Sequence, residues 1–396
     1  MQSSRICIYF ANTGGGHKSA AKAIAAGIRT LVKKEPAWPR VRITQLSIAE
    51  HTHPINKYLI DFYNYLARHR TTWIKYFYKA IHVVQPDNEM FYGLYRTYLH
   101  SLLKTDQPNL IVLVHPMLPS CITYALEELK LQSATKVAVV ITDPNENLWR
   151  GWGANKVDLI VAPNYLVRDR LLSWQIAPDK IKVLGMPINP KFIASPSISR
   201  SRFLTKLGLA PDLLTVCINA SWAGNTHWLN TYKALAKCNR KLQVIFLSGN
   251  NQDLHDLVVA AAKDTNIPTA VLEFNNKMPE LMNAVDLMVT KAGGLTTYEA
   301  LARRLPLVLD NTIPPMPQEA PTMQMMADAK VAKILNSPED IIEIVEKLPF
   351  PRSKDAPLPT SYDLNLTDHS IFDIAQSLLA LTAKEIKPSE SLRQAA

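Results

Sequence analysis

The chain has 396 residues, 47% of them apolar and 20% charged, with a net charge of +10. That length exceeds the ~250–300 residues at which single hydrophobic cores stop growing, so two domains are expected. No apolar run approaches the ~20 residues of a membrane helix, which excludes an integral helical membrane protein. The four scattered cysteines (Cys7, Cys121, Cys217 and Cys238) have no zinc-site spacing and are expected as buried, reduced thiols. The N-terminus enters a strand at once and lacks a signal-peptide layout, so a cytoplasmic protein is expected.

The charge is unevenly spread. Residues 1–190 hold 23 Lys and Arg against 13 Asp and Glu, whereas residues 191–396 hold 21 of each. The whole excess sits in the first half, which is therefore expected to meet something anionic: a membrane surface or a nucleic acid.

In chain order, Arg5–Ala11 reads as a strand running into N-T-G-G-G-H and then an alanine-rich helix over Lys18–Lys34. A strand, a glycine loop and a helix start can together hold an anion. The loop is not G-x-G-x-x-G, and no acidic residue follows at dinucleotide spacing, so a nicotinamide cofactor is disfavoured. His17 closes the loop, and its ordinary pKa suits a general base. The plain alternative is a helix-capping or structural histidine.

A strand at Val41–Leu46 follows, and then the strand–helix rhythm lapses over His51–Lys104. This segment holds eight of the fourteen tyrosines, together with Phe62, Trp73 and Phe77 and the interleaved cations Lys57, Arg68, Arg70, Lys75 and Lys79. Two or three helices with most of their rings in the core are expected. Rings with basic neighbours also suit a membrane interface. Single-stranded nucleic acid could use the same surface, but no zinc-finger, recognition-helix or RNP pattern accompanies it.

The rhythm resumes with strands at Leu110–Val114, Val137–Ile141 and Asp158–Pro163, and a helix over about Ser120–Leu131. Their unbroken apolar runs fit strands buried on both faces of a parallel sheet. His115 and Asp143 each follow a strand, at the sheet edge where ligands sit; a loop or capping role is the alternative. The Pro/Ser-rich stretch after Pro187 reads as a linker. A second series of strands is expected at 214–220, 243–248, 270–274, 285–290 and 307–310.

Thr290–Leu301, T-K-A-G-G-L-T-T-Y-E-A-L, is a second strand–glycine–helix joint. Gly293 and Gly294 let a ligand approach the helix start, whose N–H groups and dipole suit a diphosphate. Glu299, a turn further on, could accept hydrogen bonds from ribose hydroxyls, and Gln318 and Glu319 on a Pro-rich loop could reach sugar hydroxyls. The expected architecture is α/β: two Rossmann-like, doubly wound domains facing a cleft. The domains are placed at 1–190 and 191–348. Residues 349–396 are left as an irregular segment, one helix over 367–383, and a disordered tail.

The motifs F-A-N-T-G-G-G-H-K-S-A-A, V-H-P-M-L, I-T-D-P, L-G-M-P-I, L-S-G-N-N and T-K-A-G-G-L-T-T-Y-E-A-L stand in the order found in monogalactosyldiacylglycerol synthases and processive diacylglycerol glucosyltransferases. The resemblance runs from about Arg5 to Ile341. A more distant similarity is to the cell-wall N-acetylglucosaminyltransferase that glycosylates an undecaprenyl lipid. The resemblance implies a GT-B fold and an inverting transfer of a hexose from a UDP-sugar to diacylglycerol or a related membrane lipid, with galactose favoured and glucose next. It implies a peripheral membrane enzyme whose first half meets an anionic membrane surface and the acceptor, and whose second half binds the donor. No nucleic-acid partner is expected. No Asp-x-Asp occurs, so no metal or other cofactor is expected, and helix-start N–H groups must hold the leaving diphosphate.

By the same resemblance, His17 is the base, with Asp143 as rival or partner. Lys291, Gly293, Gly294 and Thr296 fall in the donor site, with the two glycines and Thr296 facing the diphosphate. Glu299 faces the ribose, Phe274 the uracil, and Gln318 and Glu319 the sugar. Gly14, Gly15 and Gly16 line the cleft, and His115 shapes the acceptor pocket. The chain departs from the family where a glycine-rich loop usually opens the second half. Asn219–Asn225 reads N-A-S-W-A-G-N, with one glycine and Trp222. It departs again at Asn145–Trp149, where a histidine is usual before the tryptophan, and at P-M-P-Q-E-A-P-T, where the family has P-G-Q-E and then Asn. Two other readings stand beside the transferase: a UDP-N-acetylglucosamine epimerase of similar fold, and a non-catalytic homologue that binds lipid or nucleotide.

Overall fold

The computed structural model describes residues 3–35, 38–84, 89–273, 275, 277–352 and 364–382. The chain forms two compact units. One draws on Met1–Tyr63, Tyr78–Pro190 and Thr360–Ala396, the other on Asn64–Phe77 and Lys191–Pro359.

The first unit is built on six parallel strands: β1 (Ser4–Phe10), β2 (Val41–Ser47), β3 (Leu110–Leu113), β4 (Lys136–Val140), β5 (Leu159–Ala162) and β6 (Ile181–Val183). Their order is β2-β1-β3-β4-β5-β6. All of β3 and β5 is buried, as expected of L-I-V-L and L-I-V-A between two helical layers. The chain leaves β1 for β2 on one side and returns to β3 on the other. The loops after β1 and β3 therefore diverge, and they open a crevice at the carboxyl edge of the sheet. The helix Gly16–Lys34 starts at that crevice.

The helix Ser370–Ala380 packs on Gly16–Lys34, and Gly27 permits the approach. A Cβ there would lie 2.8 Å from Ile371 Cγ1.

The aromatic segment divides. Along the helix Glu89–Asp106, Tyr92, Tyr95, Leu99 and Leu103 recur at helical spacing and enter the core. In the helices Pro54–His69 and Ile74–Val84 and the turn between them, Tyr58, Phe62, Tyr65, Trp73 and Tyr76 stay exposed, Tyr58 by 68% and Trp73 by 62%. The expectation that most rings pack inside therefore holds for the last helix and fails for the two before it. Composition is shared along the segment, but only the last helix lays its apolar face on the sheet.

The second unit carries β7 (Leu214–Asn219), β8 (Leu242–Leu247), β9 (Thr269–Leu272), β10 (Leu287–Thr290), β11 (Leu307–Asp310) and β12 (Ala332–Leu335). All are parallel, in the order β12-β11-β10-β7-β8-β9, with the switch point between β7 and β10. Strands β6 and β12 were not among the expected elements. Both are short edge strands with an exposed lysine, Lys182 and Lys333, so they lack the apolar run that marks a central strand.

Arg200 ties this unit together. Its guanidinium donates to both oxygens of Asp286, at 3.0 and 2.9 Å, and to the carbonyls of Pro211, Leu213 and Ala284. Asp286 Oδ2 also accepts the Thr215 N–H at 2.8 Å, so the pair fixes how β7 and β10 enter the sheet.

Candidate active site

In the first unit the crevice brings together three residues that are far apart in sequence. His17 stands on the first turn of its helix, half-buried, with its ring 4.6 Å from that of His115. Its Nδ1 lies 3.2 Å from the Thr142 hydroxyl at the end of β4. Burial lowers the His17 pKa, while the Asp143 carboxylate and a hydrogen bond to the Val114 carbonyl pull it partly back up. The ring is therefore neutral at neutral pH. With one nitrogen protonated toward Val114, the other carries the lone pair that a base requires.

His115 has a different part. It is buried, and the Met117 N–H donates to its Nδ1 at 3.3 Å. The ring proton therefore sits on Nε2 and is donated to Thr13 Oγ1 at 3.0 Å. Burial, reinforced by His17, holds its pKa well below the ordinary histidine value. His115 is a neutral strut beneath the glycine loop. Above it, a Cβ on Gly15 or Gly16 would meet no atom within 4 Å, so that side of the loop is open.

Asp143 follows β4, and its Oδ2 accepts the Trp152 indole N–H at 2.8 Å. Trp152 is fully buried, with its ring 6.2 Å from that of His17. Trp152, Thr13 and Thr142 escaped sequence reading because nothing local marks a buried indole or a hydroxyl as a partner.

In the second unit, helix geometry leaves the N–H groups of Gly294, Leu295 and Thr296 without intrahelical acceptors at the start of Gly294–Ala302. Lys291 Nζ donates to Glu319 Oε1 at 2.6 Å, and the same oxygen lies 3.9 Å from the place a Gly293 Cβ would take. Lys291, Gly293, Gly294 and Glu319 are thus neighbours. Gln318 precedes Glu319 and donates to Met316 Sδ at 3.4 Å. Glu299 lies one turn into the helix, partly buried, and burial pushes its carboxyl up to about 8. Among the described residues no group forms a hydrogen bond or ion pair with it. Phe274 lies outside the described residues.

The loop after β7 is held by its neighbour. Gly224 takes φ +61°, and a Cβ there would fall 2.3 Å from the Ser248 carbonyl oxygen. Its own carbonyl accepts the Asn251 amide at 2.6 Å. Trp222, on the same loop, lies under the Arg68 guanidinium at 4.9 Å.

A shallow, open pocket adjoins this loop, lined in part by Ser221, Asn225, His227, Lys291, Asp310 and Glu319. His227 Nε2 donates to Asp310 Oδ2 at 2.8 Å. Neither residue was singled out from the sequence. Asp310 ends a strand at the same edge of a sheet as Asp143 does, and that rule applied to β11 would have found it.

Residues 17–188 match the family model described as monogalactosyldiacylglycerol (MGDG) synthase, and residues 225–329 match the glycosyltransferase family 28 C-terminal domain. The order of the two matches follows the two units. The chain is 28% identical to monogalactosyldiacylglycerol synthase 1 of Arabidopsis thaliana, over 96% of this chain and 72% of that protein. It is 26% identical to the processive diacylglycerol beta-glucosyltransferase of Staphylococcus saprophyticus, over 96% of this chain and 93% of that one. By these matches the chain is similar to the monogalactosyldiacylglycerol synthase and diacylglycerol glucosyltransferase family. This is a family of UDP-sugar-dependent hexosyltransferases, and His17, His115 and Asp143 lie inside the part that the synthase model covers.

Solved structures show the same GT-B type of fold. A putative UDP-N-acetylglucosamine 2-epimerase from Listeria monocytogenes superimposes with a TM-score of 0.61 at 11% identity, over 96% of both chains. MurG of Acinetobacter baumannii does so with a TM-score of 0.53 at 12% identity, over 96% of this chain and 99% of that one. At such identities the likeness speaks for the fold alone.

Proposed function

We propose that the protein transfers a hexose from a UDP-sugar to diacylglycerol with inversion, and that galactose is the first donor to test and glucose the second. The observation that carries this reading is the His17–Asp143–His115 group at the switch point of the first sheet, inside the region matched by the synthase model. In this reading His17 takes the proton of the acceptor hydroxyl as its oxygen attacks the anomeric carbon. UDP leaves, and the added negative charge on its diphosphate is met by the free N–H groups at Gly294–Thr296 and by Lys291. Glu299 accepts from the ribose, and Gln318 and Glu319 read the sugar.

The acceptor is a lipid, so the enzyme works at a bilayer surface. Among the described residues no helix is long and apolar enough to cross a membrane. Within the second unit, the exposed rings of Tyr65, Trp73 and Tyr76 stand close in sequence to the exposed Arg70 and Lys75. Rings that enter the interface beside cations that meet anionic headgroups suit peripheral binding.

The test is transfer of labelled sugar into a chloroform-soluble product. Anionic vesicles containing diacylglycerol are offered with UDP-galactose, UDP-glucose and UDP-N-acetylglucosamine in parallel. Labelled glycolipid formed with one hexose donor, and lost in His17→Ala, is expected. Bound nucleotide without product from any donor would leave a binding protein in place of the enzyme. Failure of anionic vesicles to retain the protein at low salt would remove the membrane role.

A further inference from the structure

We infer that Trp152 is a positioning residue for the transfer: its indole holds the Asp143 carboxylate near His17 but off its ring, so that the imidazole stays free to act as the base. This rests on the reading of His17 as the base, and it assigns a part to a residue which that reading leaves unused.

The indole N–H of Trp152 donates to Asp143 Oδ2 at 2.8 Å. The other oxygen, Oδ1, forms no hydrogen bond among the described residues, so the indole is what anchors the carboxylate. The anchor is itself fixed. Trp152 is fully buried in the core of the first unit. It ends the turn Arg150–Trp152, and its backbone N–H donates to the Trp149 carbonyl at 3.1 Å. Arg150 donates to the Gly153 carbonyl at 2.8 Å and lies over the Trp174 ring at 4.9 Å. A Cβ on Gly153 would fall 2.7 Å from Trp174 Cε3, so the turn is pressed against that ring. A group locked by packing on every side holds its partner's rotamer more closely than a surface group does.

A carboxylate beside a histidine can do two opposed things. Pressed onto the ring it forms an ion pair, and the imidazole is then protonated and has no lone pair to offer. Held further off, it leaves the resting ring neutral and still attracts the imidazolium that forms as the acceptor proton arrives. The structure has the second arrangement. Burial lowers the His17 pKa, and Asp143 only partly restores it. Among the described residues the two form no ion pair within 4.0 Å. The other groups facing His17 are the His115 ring at 4.6 Å, the Thr142 hydroxyl and the Val114 carbonyl, while Lys18, next on its own helix, is exposed. Among the described residues Asp143 is thus the acid that acts on the ring, and the indole decides where it stands.

Trp152→Phe removes the donor and keeps an aromatic ring in the core. With the N–H gone, the carboxylate charge is less offset and its side chain is free to turn toward His17, and both changes raise the His17 pKa. The full-length protein and its variants are titrated with pH by nitrogen NMR of isotope-labelled histidine, the His17 signal being assigned by its absence in His17→Gln. The pH profile of kcat/KM for sugar transfer is measured alongside, and melting is followed in parallel. In Trp152→Phe the His17 pKa and the acid limb should rise together, by up to about 1 unit. Activity lost near neutral pH should then return in alkaline buffer, whereas a tryptophan that served only the fold would lose activity alike at every pH. In the Asp143→Asn background the same substitution should leave the limb where Asp143→Asn alone puts it. An upward shift that persisted there would overturn the inference, since the indole would then act on His17 by burial. A limb that stayed in place or fell in Trp152→Phe would overturn it too. The parent protein supplies a test that needs no variant to fold: a His17 that titrates above the ordinary ~6.5 would mean that the carboxylate already pairs with it, and the tether would fall. The expected titration without any sugar transfer would uphold the tether and remove the reading of His17 as the base.

Discussion

The proposed ribose role of Glu299 implies a pH dependence in donor binding. Burial pushes its carboxyl up to about 8, against ~4.3 for a free glutamate. At pH 7 the protonated form therefore outweighs the carboxylate by roughly ten to one. Ribose hydroxyls are best received by the carboxylate, so UDP selects the minor form. The apparent Kd should then tighten about tenfold between pH 7 and pH 9, and binding at pH 7 should release close to one proton (~0.9). The assay is calorimetric titration of UDP in two buffers of different ionisation enthalpy, above pH 7, where the terminal phosphate has largely finished ionising (second pKa near ~6). Glu299→Gln should bind UDP more weakly at pH 9 and show neither the pH slope nor the proton release. The linkage has a counterpart in the unliganded protein. A carboxyl raised on folding favours the native state while protonated, and that contribution is lost as pH climbs from ~4.3 through about 8. Glu299→Gln should therefore gain in melting temperature relative to the parent as pH rises across that window. A flat Kd between pH 7 and pH 9, with no proton release in the parent, would refute the reasoning and remove Glu299 from the ribose site.

Four further outcomes follow from the geometry. His17→Ala should lower turnover by ~10²–10⁴-fold with UDP binding intact. Asp143→Asn removes a charge that raises the His17 pKa, so the acid limb of kcat/KM should move to lower pH; movement to higher pH would contradict the assigned pair. Arg200→Ala strands the nearly buried Asp286 carboxylate and should cost about 3 kcal/mol in urea unfolding, while Arg200→Lys, losing the fork, should recover part of it. Gly27→Val sets a side chain against Ile371, where even a Cβ comes to 2.8 Å, and should cost ~1–3 kcal/mol with activity per folded molecule unchanged.

The central strands could be read from the chain because being buried on both faces demands an unbroken apolar run. I-C-I-Y-F, L-I-V-L and V-C-I-N meet that demand without any knowledge of their neighbours. The edge strands β6 and β12 could not be read this way. Only half of an edge strand is covered, so I-K-V and A-K-I-L carry a lysine and look like loop. The aromatic segment was ambiguous for a related reason. Periodicity shows that a helix has an apolar face but does not say what covers it, and the rings of Tyr92 and Tyr58 differ only in what their helices lie against.

Site residues were legible where the backbone itself advertises a ligand, as at the glycine turns before the helices beginning at Gly16 and Gly294. They were hidden where a side chain is held by a partner brought from elsewhere, as with Trp152 for Asp143 and Thr13 for His115. The same distinction explains an oddity of charge. The second half of the chain has no net charge although it is proposed to hold a diphosphate. Helix-start N–H groups and one lysine are enough for the phosphates, because aligned dipoles bring partial positive charge without a formal cation. Lys291 is in turn matched by Glu319 at 2.6 Å, so that pair adds no net charge. A donor site built from dipoles for the anion and carboxylates for the sugar need carry no excess of either sign. The basic excess then lies in the half proposed to meet the lipid.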